Sequence, residues 1–81
     1  MNKEQRELTR RLFTCATEVI EDAVLSAAKG QSPTLTKPEA ATCAYRILVA
    51  ARDLDILARA VSIVVRAGSH GGSRKRRLQP R

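Results

Sequence analysis

The sequence predicts an all-α protein: an antiparallel two-helix hairpin that self-associates, most simply as a dimeric four-helix bundle, followed by a disordered basic tail. Three observations lead there. Apolar residues recur at spacings of three and four over most of the chain. Two capping signals, one at each helix start, divide that periodicity into two segments. The second segment then carries more apolar surface than a single neighbouring helix covers. With 81 residues the chain makes one small domain, a size at which thin cores often depend on oligomerisation.

The first helix is predicted over residues 3–29. Asn2 caps it, and Gln5 three residues later completes a capping box. Leu8, Leu12, Cys15, Ala16, Val19, Ile20, Ala23, Val24 and Ala27 form its apolar side. Glu7, Arg10, Arg11, Thr14, Thr17, Glu18, Glu21 and Asp22 form the outer one. Gly30 stands at the position of a C-terminal glycine cap. Residues 31–35, with Ser32-Pro33 as the turn signal, are too few for anything but antiparallel neighbours.

The second helix is predicted over residues 37–67, roughly 46 Å at 1.5 Å per residue. Thr36-Lys37-Pro38-Glu39 is a capping box with proline in the first turn, and Leu35 is placed to staple onto Ala40. Gly68 marks the far end. Ala40, Ala44, Ile47, Ala51, Leu54, Ala58, Val61 and Val65 make an uninterrupted heptad seam. Cys43, Ala50, Leu57 and Val64 flank it, and Val49, Ile56 and Ile63 form an apolar line pointing away from it. Arg52-Asp53-Leu54-Asp55 is the one place where a break into two helices is conceivable. It holds neither glycine nor proline, and the seam runs through in register, so a continuous helix is expected.

The two-domain division is therefore 1–68, a helical oligomerisation hairpin, and 69–81, a glycine-serine linker running into a basic cluster expected to be disordered. Net charge is +7. Residues 1–67 hold ten Lys/Arg against eight Asp/Glu, a net of +2; Arg74, Lys75, Arg76, Arg77 and Arg81 supply the other +5. Basicity is thus mostly a property of the C-terminal segment.

Catalytic chemistry is not evident, and no enzyme is expected. The single histidine, His70, lies among glycines. Glu18, Glu21 and Asp22 lack the Glu-x-x-His pattern of carboxylate-bundle metal sites, so no metal and no cofactor are expected. No glycine-rich phosphate loop is found. Cys15 and Cys43 are predicted as buried free thiols, since a hairpin leaves them roughly 12 Å apart along the axis, too far to pair. No apolar leader follows Met1, and charged residues interrupt the second helix, so neither secretion nor transmembrane insertion is expected; the expected location is cytoplasmic.

Two functions fit. In the first, an oligomer with a regulatory or architectural role contacts nucleic-acid backbone (DNA or RNA) through Arg74, Lys75, Arg76, Arg77 and Arg81. The helical row Arg52, Arg59 and Arg66 adds a second line of contact. No recognition helix is evident, so contact would be led by phosphates. In the second, the chain is a protein-interaction module, an adaptor, inhibitor or regulatory subunit of phage or plasmid type. Its oligomer or partner interface is Val49, Ile56, Leu57, Ile63 and Val64.

Overall fold

The computed structural model describes residues 1–69 and contains two helices, α1 (Lys3–Lys29) and α2 (Lys37–Ser69), with no strand among the described residues. The helices pack side by side as an antiparallel hairpin. The shortest principal extent of the Cα trace is 11 Å, so the hairpin is one helix thick.

Both helix starts are closed by reciprocal capping. The Gln5 N–H donates to Asn2 Oδ1 at 2.8 Å, and the Asn2 N–H donates to Gln5 Oε1 at 2.9 Å. At α2 the Glu39 N–H donates to Thr36 Oγ1 at 3.3 Å, and the Thr36 N–H donates to Glu39 Oε1 at 3.0 Å. Each box satisfies two backbone donors, one of them among the four a helix start leaves unmatched. Thr14 and Thr17 sit mid-helix without leaving a polar group idle, because their hydroxyls donate to the carbonyls of Arg10 and Phe13.

Helix α2 is continuous through Arg52-Asp53-Leu54-Asp55 and runs through Gly68 to Ser69, two residues beyond the predicted end. Gly30 is the C-terminal cap of α1, as expected. It closes α1 in right-handed geometry, φ −66° and ψ −11°, not the left-handed conformation that selects glycine. The Gly30, Gln31 and Ser32 N–H groups donate to Ser26, Ala28 and Lys29 carbonyls, tightening the last turn. A Cβ placed on Gly30 would meet Cys43 Cβ at 4.0 Å, ordinary contact.

The contact between the helices is narrow and regular. In α1 every residue that is not exposed lies on one line: Gln5, Thr9, Leu12, Ala16, Val19, Ala23 and Ser26, at alternating spacings of four and three. In α2 the matching line is Ala40, Cys43, Ile47, Ala50, Leu54, Leu57, Val61 and Val64, with Ile47 at its edge. Helix α1 thus docks between the seam residues Ala40, Ile47, Leu54 and Val61 and the residues predicted to flank the seam. Ala44, Ala51, Ala58 and Val65, half of that seam, stay exposed. The small side chains of Cys43 and Ala50 let the helices approach, and these are the two apolar residues that become buried. The same phase leaves Cys15 exposed, contrary to expectation, while Cys43 is buried as predicted; both are free thiols. On the predicted apolar side of α1, Leu8, Ile20, Val24 and Ala27 are exposed as well.

Candidate interaction surfaces

Residues that are neighbours in sequence are 100° apart around a helix. Because α1 and α2 run antiparallel, the residue preceding a contact position falls on one face of the hairpin in both helices, and the residue following it falls on the other. The first of these faces is visible as a cleft of about 580 Å³. Asp22, Leu25 and Lys29 line it from α1, and Thr42, Arg46, Val49 and Asp53 line it from α2. Six of the seven immediately precede a residue of the contact line, and Lys29 precedes Gly30, the α1 cap. Charges of both signs border the cleft, and buried Cys43 and Ser26 lie at its floor. Glu39 also borders it; its carboxyl is held below the ordinary carboxylate range by the Thr36 N–H and hydroxyl, with Lys29 contributing. That shift has a capping origin.

The opposite face is largely apolar, with Arg6, Arg10 and Thr17 following contact residues near the start of α1. Phe13, Ile20, Val24 and Ala27 rise on it from α1; Ala44, Leu48, Ala51 and Ala58 rise on it from α2. Asp55 is its only acid on α2, and its Oδ2 accepts from Arg59 Nε at 3.0 Å on the same helix. The sequence reading missed this face as a unit. Its signal is a doublet of apolar residues repeated every seven, Cys43-Ala44, Ala50-Ala51 and Leu57-Ala58.

Of the residues predicted to act, Arg52, Arg59 and Arg66 lie exposed in one row on the side of α2 turned away from α1; Tyr45, at the same repeat position and exposed, borders the cleft. Ile56 and Ile63 lie beside that row, 58% and 60% exposed. Leu57 and Val64 are half-buried on the α1 contact line, and Val49 is half-buried at the cleft. Ile56 and Ile63, like Val49, each precede a contact-line residue, so the five predicted interface residues fall on two surfaces, the α1 contact and the cleft-side face. Arg74, Lys75, Arg76, Arg77 and Arg81, like His70, lie outside the described residues.

Among the described residues no group of three His, Cys, Asp or Glu is placed to hold a metal ion. Nor, among those residues, is any helix long and apolar enough to cross a membrane. The three ion pairs Arg10–Glu7, Arg11–Glu7 and Arg59–Asp55 are each within one helix and solvent-exposed, and contribute little to stability. Comparison of the chain with protein-family models, with curated proteins and with solved structures finds no match.

Proposed function

We propose that this chain is a non-enzymatic helical hairpin that works as a self-associated unit and contacts the phosphate backbone of nucleic acid. One observation carries the self-association. Among the described residues Cys43 and Ala50 are the only buried apolar ones, while Phe13, Leu25, Leu48, Ile56 and Ile63 each keep more than half their surface exposed. A solitary hairpin has no core, and each large apolar side chain left in water forgoes roughly 1.5–3 kcal/mol. Charge supports the nucleic-acid contact. The Arg52, Arg59 and Arg66 row is exposed on the far side of α2 from the α1 contact, so it stays accessible when the apolar face is covered. The five basic residues of the C-terminal segment add to it, and self-association multiplies both.

Removing residues 69–81 tests the contact. Full-length protein retards duplex DNA or RNA at low salt, with affinity falling by about 0.9 log units per neutralised phosphate for each log unit of salt on duplex DNA. The truncated chain keeps its helices and loses at least tenfold in affinity, about 1.4 kcal/mol. Full-length protein that retards neither nucleic acid at low salt overturns the reading.

The exposure of Ile56 and Ile63 favours a second reading, an adaptor or regulatory subunit whose protein partner covers that line. Under it, Ile56→Asp abolishes partner binding while helicity and self-association are unchanged.

A further inference from the structure

We propose that the apolar face of the hairpin, and not the cleft-side face to which the Ile56 line belongs, binds a second copy of the chain; the inference rests on the self-association reading above. The face is a seam on both helices. Phe13, Ile20 and Ala27 on α1 and Ala44, Ala51 and Ala58 on α2 each recur every seven residues. Each of these lines stands one position, or 100°, beyond the line that packs inside the hairpin. In a four-helix arrangement each helix has two neighbours at roughly right angles, and side chains between those directions point at the bundle axis. The doublets of α2 meet that requirement: Cys43, Ala50 and Leu57 face α1, and the alanine after each faces out of the hairpin plane. Between them Ile47 and Leu54 fill the axis direction. Helix α1 does the same with Ala16 and Ala23.

The occupant this geometry fits is another antiparallel helix pair with the same heptad repeat, and the chain itself is one. Small residues at 44, 51 and 58 permit close approach of helix axes, while Phe13, Ile20 and Leu48 supply the bulk that fills the layers between. Phe13, Ile20, Val24, Ile47 and Leu48 remain 39% to 64% exposed, which is roughly 100 Å² each. With the intervening alanines the face approaches the about 800 Å² per partner that a standard stable interface buries. The cleft face, bordered by Asp22, Lys29, Arg46 and Asp53, is charged where a bundle axis must be apolar.

Sedimentation equilibrium of the full chain, with far-ultraviolet circular dichroism on the same samples, tests the assignment. The expected species is a dimer at low micromolar concentration. Leu48→Glu weakens it by about 30-fold or more. Leu25→Glu, which alters the cleft face at an equally exposed leucine, changes it by less than about threefold. Asp55→Leu adds apolar surface to the proposed interface and tightens the dimer; because it removes no packing, it decides the matter even where Leu48→Glu loses helix. A wild-type chain that is helical and monomeric overturns both this assignment and the self-association reading. A dimer broken by Leu25→Glu, or one unmoved by both Leu48→Glu and Asp55→Leu, overturns the assignment alone and leaves self-association standing.

Discussion

The two helices are capped the same way and contact each other along the same repeat, yet they bring very different side chains to that contact. Helix α1 offers Gln5, Thr9, Ala16, Ala23 and Ser26, with Leu12 and Val19 the only large apolar members of its line. Helix α2 offers Ile47, Leu54, Leu57, Val61 and Val64 beside Cys43 and Ala50. A thin, half-polar surface cannot seal a broad apolar one. The hairpin contact sets the antiparallel pairing of the helices; under the proposed self-association, the stability of the folded chain comes from the copy that covers more of α2. The difference also explains why the largest side chains on the contact line are half-buried: α1 touches one edge of each and leaves the other facing solvent.

The sharpest way to break this contrast is a pair of adjacent substitutions. Leu57→Asp places a carboxylate on the contact line and is expected to cost more than about 3 kcal/mol, enough to abolish cooperative unfolding. Ile56→Asp, one residue earlier and 58% exposed, is expected to change stability by less than about 0.5 kcal/mol. Denaturant titration followed by circular dichroism measures both. Equal effects would mean that α2 is not docked in the phase described. A smaller effect belongs to the α2 cap. Thr36→Ala removes the acceptor of the Glu39 N–H and costs about 1 kcal/mol. Since the Glu39 carboxyl titrates below its ordinary range when folded, its contribution is present above that range and fades as pH falls through the folded value. Acid titration of Glu39→Gln therefore shows a shallower loss of stability at low pH than wild type. Smallest is Gly30→Ala. With φ at −66° and an added Cβ in ordinary contact, it is expected to stabilise by about 0.4–1 kcal/mol through the unfolded state. A marked loss would show that α1 ends in a conformation only glycine adopts.

Much of this was legible in the residues. Both capping boxes are written in Asn2/Gln5 and Thr36/Glu39, and the short polar link between helices allows only an antiparallel pairing. The uninterrupted repeat through Arg52-Asp53-Leu54-Asp55 correctly implied one long helix. What periodicity could not decide was the phase of docking. The lines through Cys43 and through Ala44 are equally apolar, 100° apart, and either accepts a partner helix. Helix α1 took the line through Cys43, where the end of its last turn at Gly30 meets the thiol-bearing residue. That one choice moved Leu57 and Val64 from the predicted outer interface into the hairpin, and it turned Cys15 outward. The cleft and the apolar face follow from the same choice, so neither could be drawn before the phase was known. Gly30 ends α1 as read from its residue type; the right-handed geometry in which the last turn tightens there was not legible in the sequence.

The central claim is that a single copy of this hairpin holds too little buried apolar surface to be stable alone. Thermal unfolding of the full chain, followed by circular dichroism over a hundredfold range of protein concentration, measures it directly. Association coupled to folding makes the melting temperature climb with concentration, and dilution erodes the helical signal. A melting temperature that stays constant across the range, with full helicity at the lowest concentration, would contradict the account.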